Sequence, residues 1–198
     1  MGPDWIAEDR AALATSRLLD AAGAVFAEHG VQATTMAKVA AAAGCSRATL
    51  YNHFADRRAL ELAFVHREAL RISAEATEAL SGLADPEQRA TTAFEFILDR
   101  VRSDPSLLAW FSASDVGVAT AISSDSEVLG AMASAFAGRL AKELPEADAV
   151  RRGRWLVRMI VSLLAMPEPD SMEERRVIAD FVVPALLAAP PIPTGVAD

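Results

Sequence analysis

The chain has 198 residues, 52% hydrophobic and 23% charged, with a formal net charge of −8, a composition that suits one sizeable core or two small ones and excludes a disordered chain. A single cysteine, Cys45, excludes an internal disulfide framework and a cysteine-rich zinc site, and fits a reducing compartment. No apolar run approaches the roughly 18 residues of a membrane span, and the opening Met1-Gly2-Pro3-Asp4-Trp5 lacks the basic-then-apolar order of a secretion signal, so a soluble, cytoplasmic protein without a membrane partner is expected.

In chain order, the apolar stripe Leu18, Ala22, Val25 and Phe26 predicts a first helix from about Arg10 to His29. Gly30 fits the left-handed residue that ends such a helix. Thr35 is suited to cap a short second helix through Ala43, stopped by Gly44, and Ser46 to cap a third from Arg47 to about His53. Asp56 opens a long fourth helix, Arg57 to about Leu80, ended by Ser81-Gly82.

Asp85-Pro86-Glu87-Gln88 joins an N-cap, a first-turn proline and a glutamine at the third position, predicting a helix to about Ser103. Asp104-Pro105 repeats the device for a short helix through Trp110 and Phe111. The Ser123–Ser126 stretch precedes a helix to about Leu144, and Pro145 with its following acids opens one to about Met166. Ser171-Met172-Glu173-Glu174 reads as a capping box for the last helix, which Pro184 should kink by removing a backbone donor. No stretch alternates with period two, so the predicted fold is all-α, with residues 190–198 as a frayed tail.

Charge is unevenly spread. Residues 1–9 carry −3; residues 10–71 hold eight Arg/Lys against five Asp/Glu; residues 72–198 carry −8. Only the first third is therefore suited to approach a polyanion. In that third, two helices joined by a Gly-containing turn form the helix-turn-helix unit that reads DNA. Val39, Ala40 and Ala43 give its first member a small inner face; Cys45 fills the corner, and Leu50 and Phe54 close the core. Arg47, Ala48, Thr49, Asn52 and His53 are left around the exposed part of the third helix.

The run Thr34-Thr35-Met36, Val39-Ala40, Ala43-Gly44-Cys45-Ser46-Arg47-Ala48-Thr49-Leu50-Tyr51-Asn52-His53-Phe54, then Asp56-Arg57-Arg58-Ala59-Leu60, strongly resembles TetR-type (tetracycline-repressor-like) transcriptional regulators. The resemblance implies a helix-turn-helix domain over residues 10–56, a ligand-binding and dimerisation domain over 57–189, and the tail 190–198. It implies that Thr35, Tyr51 and Arg57 bind phosphate, that Arg47, Ala48, Thr49 and Asn52 face the major groove, that His53 bonds to backbone or phosphate, and that Ser46, the cap of the reading helix, is among the DNA-binding residues. The chemistry agrees, since hydroxyls and guanidinium groups suit phosphate and Arg grips the O6/N7 edge of guanine. Two departures stand out. Ala37 replaces the longer polar or basic residue of many relatives, and Asp4, Glu8 and Asp9 oppose a basic minor-groove arm.

The remainder resembles the family in architecture, which implies that the last two helices of two subunits pair into a four-helix bundle. Leu156, Met159, Ile160 and Leu163 offer one apolar face, and Ile178, Phe181, Val182 and Ala185 another. Phe94, Leu98, Val101, Trp110, Phe111, Met132, Phe136 and Met159 either pack as plain core or line an apolar cavity for a small-molecule effector. His29, His53 and His66 lack the spacing of a helical metal pair, and no cofactor is expected. The expected function is a homodimeric regulator, most simply a repressor, released from a palindromic operator in double-stranded DNA by a hydrophobic or amphipathic molecule. The fourth helix would be the link between the two activities. A scaffold that has lost DNA binding is one alternative. A helical enzyme is the other, although no nucleophile elbow, phosphate loop or metal spacing is present.

Overall fold

A computed structural model describes residues 5–140 and 145–188, and every regular element among the described residues is helical. In order these are α1 (Trp5–His29), α2 (Met36–Ala42), α3 (Arg47–His53), α4 (Arg57–Ala79), α5 (Pro86–Arg102) and α6 (Pro105–Leu108). After a 3-10 turn (Ala109–Phe111) come α7 (Val116–Asp125), α8 (Glu127–Leu140), α9 (Glu146–Ala165) and α10 (Ser171–Val177). A π turn (Ile178–Val182) then leads into α11 (Val183–Leu187).

Local chemistry sets most boundaries. Thr35 Oγ1 accepts the Lys38 N–H at 3.3 Å, Ser46 Oγ that of Thr49 at 3.0 Å, and Asp56 that of Ala59 at 2.7 Å. Asp85 caps α5 through Gln88 N–H and Asp104 caps α6 through Ser106 N–H. Gly30 and Gly44 take φ of +79° and +66°, the left-handed region where a Cβ is penalised.

Four expectations are corrected. Helix α1 starts at Trp5 rather than near Arg10. Ser123, Ser124 and Asp125, expected only to precede a helix, form the end of α7. Its mixture of Gly, Ala, Thr and Ser buries only Ala119 and Ile122 and gives little amphipathic signal. Asp170, not Ser171, caps α10, accepting the N–H groups of both Met172 and Glu173. Pro184 sits in the first turn of α11, and the disturbance lies upstream, where the chain opens into a π turn and Val183 N–H reaches Ile178 O. The expected helix end at Leu144 and the tail 190–198 lie outside the described residues.

Packing divides the chain into two compact units, Met1–Ala74 with Asp99–Asp125, and Glu75–Leu98 with Ser126–Asp198. The division expected at residue 57 does not coincide with this one, because α6, the 3-10 turn and α7 fold with the helix-turn-helix. In the first unit, Phe26 of α1 meets Phe64 of α4 and Trp110 edge to face, with centroids 5.1 and 5.2 Å apart. Phe64 and Trp110 stack at 6.1 Å. Leu18, Ala22, Val25 and Phe26 are all buried, as the helical stripe requires. Arg58 at the start of α4 pairs with Asp125 at the end of α7 at 3.0 Å.

The second unit has its own core: Phe94 and Leu98 of α5, Ala133 and Ala137 of α8, Leu156, Leu163 and Leu164 of α9, and Ile178, Val182, Val183 and Leu186 from the C-terminal segment. Helices α8 and α9 approach closely at Gly153. A Cβ there would lie 2.5 Å from Ser134 N and 2.8 Å from Ala133 C. The Arg152 guanidinium donates to the Leu186 and Ala188 carbonyls, fastening the end of the chain to α9.

Candidate nucleic-acid interface

The turn between α2 and α3 is a Schellman motif. Cys45 N–H bonds to Ala40 O at 3.0 Å and Gly44 N–H to Ala41 O at 3.1 Å, which satisfies the carbonyls left over at the end of α2 and fixes the angle at which α3 departs. Val39 and Ala40 are buried beneath the turn, Ala37, Ala43 and Cys45 are half-buried, and Leu50 and Phe54 anchor α3 from within.

Of the seven residues of α3, only Leu50 is buried. Arg47, Ala48, Thr49, Tyr51, Asn52 and His53 are exposed, Tyr51 by 45%. Within the helix itself one side chain is therefore buried, and six are left on the surface. The Thr49 hydroxyl lies 2.9 Å from that of Ser46, so the cap also orients a candidate base-contacting side chain. His53 Nδ1 lies 3.2 Å from Thr15 Oγ1, tethering the end of α3 to α1. Thr35 is exposed at the start of α2. From Gly30 to Ala55 the sequence holds no Asp or Glu, which removes repulsion towards a phosphate backbone. The side chains of Asp4, Glu8 and Asp9 lie outside the described residues.

Arg57 has a task that sequence reasoning did not find. Its Nε donates to Glu61 at 2.7 Å, Nη1 to Gln32 O at 3.0 Å and Nη2 to Val31 O at 2.8 Å. Each guanidinium nitrogen is thus engaged by the chain itself, and the residue clamps the α1–α2 loop. Lys38, by contrast, is a candidate interface cation that sequence reasoning did not name. It is exposed one turn beyond the Thr35 cap, with Nζ on Ala33 O at 3.0 Å. Its position beside a helix N-cap on the exposed face was the available signal.

The other side of the α1–α2 loop is held by Asp115, which is buried. Oδ1 accepts Gln32 N–H at 2.7 Å, while Oδ2 accepts the hydroxyls of Ser112 at 2.7 Å and Ser114 at 3.2 Å. Desolvation alone would raise this carboxyl; the bonds from Gln32, Ser112, Ser114 and the Val31 backbone outweigh it and hold the carboxyl below its ordinary range.

The candidate effector residues separate. Val101, Trp110 and Phe111 belong to the first unit, with Trp110 buried in the three-ring cluster; Phe94, Leu98, Met132, Phe136 and Met159 belong to the second. A groove of about 430 Å³ in the first unit is lined by others, among them Gly23, Ala27, Phe64, Arg67, Arg71 and Asp104. In it Glu68 is bracketed by Arg67 at 2.8 Å and by Arg71. Of the candidate dimer residues, Leu156, Leu163, Ile178 and Val182 are buried within the single chain, Met159 and Ile160 are half-buried, and Ala185 and Phe181 are exposed, Phe181 by 71%. No single helix among the described residues is long and apolar enough to cross a membrane.

Residues 18–64 match the family model for bacterial regulatory proteins of the tetR family. The HTH-type transcriptional regulator Rv1255c of Mycobacterium tuberculosis is 40% identical over 188 residues, covering 95% of this chain and 93% of that protein. Among solved structures, the TetR family repressor AlkX of Dietzia sp. superposes with a TM-score of 0.66 at 19% identity, over 87% of this chain and 94% of that one. Thermus thermophilus FadR, a TetR-family repressor in complex with lauroyl-CoA, does so with a TM-score of 0.55 at 17% identity, over 90% and 97%. The two structural likenesses establish a shared fold.

Proposed function

We propose, given that this chain belongs to the TetR family of transcriptional regulators and is not an enzyme, that it acts in the cytoplasm as a homodimeric repressor released from a near-palindromic operator by a hydrophobic or amphipathic effector. The observation that carries this reading is α3 itself, with Leu50 its one buried residue and Arg47, Thr49, Tyr51 and Asn52 presented outward. Arg47 and Asn52 have the donor and acceptor geometry for guanine and adenine edges, whereas Thr35, Lys38 and Tyr51 suit phosphate oxygens. The Arg57 contacts support a role behind the interface rather than on it.

Two reading helices related by a two-fold axis call for half-sites about 34–36 Å apart, or somewhat wider. The exposed Phe181 and Ala185 and the half-buried Met159 and Ile160, all in the second unit, are the members of the expected dimer set that a second copy would cover.

Repression is supported by AlkX and FadR, both named as repressors. A ligand such as the acyl-CoA bound by FadR is the model for the effector class, with Phe94, Leu98, Met132, Phe136 and Met159 as its candidate contacts in the second unit. Release then follows from a ligand that favours the conformation with poor operator geometry, a coupling typically of about 1–3 kcal/mol.

The experiment is selection of bound sequences from random duplex DNA, followed by release assays with acyl-chain and aromatic acids. A recovered inverted repeat, bound with steep salt dependence, supports the reading. Recovery of unenriched sequence contradicts it.

A further inference from the structure

We infer that Asp115, which lies far outside the helix-turn-helix in sequence, is a positioning residue that sets operator affinity through the loop leading into α2. The inference rests on the DNA-binding reading above. The loop runs from Gly30 to Ala33 and delivers the chain to Thr34 and the Thr35 cap. An irregular segment must find partners for every backbone group it buries, and here the partners can be named.

Gly30 O accepts the Thr34 hydroxyl at 2.8 Å, and Val31 O accepts Thr34 N–H at 3.1 Å. The Val31 and Gln32 carbonyls take the two Arg57 Nη groups, and Ala33 O takes Lys38 Nζ. The carbonyl side of the loop is thereby served from within residues 30–57. On the amide side, Gly30 N–H closes α1 on Phe26 O, and Gln32 N–H donates to Asp115 Oδ1 at 2.7 Å, with the Val31 backbone facing the same carboxylate. Gln32 adds a side-chain bond from Nε2 to Ser114 O. Gly30 is required by this approach. Besides its φ of +79°, a Cβ there would stand 3.0 Å from Asp115 Oδ2.

Ser112 and Ser114 hold the carboxylate in turn, and Asp115 opens α7, its own carbonyl accepting Val118 N–H at 2.8 Å. The carboxylate is thus anchored by the segment before α7 and grips the loop that places α2. A charge-assisted bond to the Gln32 amide fixes the register of that loop more firmly than a neutral bond would. Without it the loop keeps its carbonyl anchors and the Gln32 side-chain bond to Ser114 O, and the start of α2, with Thr35 and Lys38, is held less firmly relative to α3.

The test uses the full-length chain and the duplex that it selects. Asp115→Ala and Asp115→Asn are titrated against that duplex under stoichiometric conditions to count competent molecules, and then at high dilution to obtain their Kd. A purely structural residue lowers the competent fraction and leaves the Kd of that fraction unchanged. The inference predicts a Kd raised roughly tenfold or more for Asp115→Ala, a smaller rise for Asp115→Asn, which keeps one acceptor, and faster amide exchange at Val31 and Gln32 in both. An unchanged Kd for competent Asp115→Ala overturns the inference and leaves the DNA-binding reading standing. Failure of the wild-type chain to select any duplex overturns both.

Discussion

Phe26 and Trp110 meet edge to face with ring centroids 5.2 Å apart, and the contact joins α1 of the helix-turn-helix to the turn that follows α6. Trp110 is buried, and its indole N–H has no hydrogen-bond partner among the described residues. Trp110→Ala should therefore cost about 3–5 kcal/mol of stability, the range for removing a large buried aromatic ring. Trp110→Phe should cost far less, because it keeps a ring against Phe26 and Phe64 while deleting an unsatisfied donor. Equilibrium denaturation of the two variants checks the ordering.

At Gly153, α8 and α9 approach too closely to leave room for a side chain. Gly153→Ala removes a flexible residue from a helix, which in an open position would stabilise it. Here the added methyl meets the Ala133–Ser134 backbone, so a net loss of about 1–3 kcal/mol is expected. Thermal unfolding of the variant measures it, and a gain in stability would mean that the two helices stand further apart.

Phe181 exposes 71% of its surface. If a second copy covers it, Phe181→Arg should weaken association by at least about 30-fold, as loss of a central aromatic anchor does, while leaving helix content intact. Sedimentation across a concentration series distinguishes a dimer that dissociates from one that does not.

Burial lowers the His66 imidazole below its ordinary 6.5. The sign follows from linkage: the unfolded chain takes up the proton first as pH falls. Stability should be level above pH 6.5 and decline as pH drops below it towards the folded-state value. His66→Gln should flatten that part of the profile. A melting series between pH 8 and 5 tests both statements.

What the sequence disclosed and what it hid divide by the range of the interaction. Thr35, Gly44 and Ser46 act on amides and carbonyls a few residues away, so α2, the turn and α3 were legible to within one residue. The outward face of α3 followed from Leu50 and Phe54 alone. Arg57 was assigned to phosphate by resemblance, because its partners Val31 and Gln32 lie 26 and 25 residues away. Asp115 was not noticed at all; it bonds to Gln32 across 83 residues, and nothing in its own neighbourhood announces it. Near the end of the chain, the π turn explains why a regular helical stripe was misleading. It shifts the phase so that Ile178, Val182, Val183 and Leu186 turn inward and Phe181 outward.

The central claim is that α3 reads base edges while its neighbours hold phosphate, and the most direct measurement compares two variants on two duplexes. Affinities of Arg47→Ala and Tyr51→Phe are taken on the selected operator and on a scrambled duplex across a salt series. Tyr51→Phe should weaken both duplexes by the same factor. Arg47→Ala should lose about 1–3 kcal/mol more on the operator than on the scrambled sequence, narrowing the preference between them. Equal losses on both duplexes for Arg47→Ala would contradict the claim that this helix carries the sequence information.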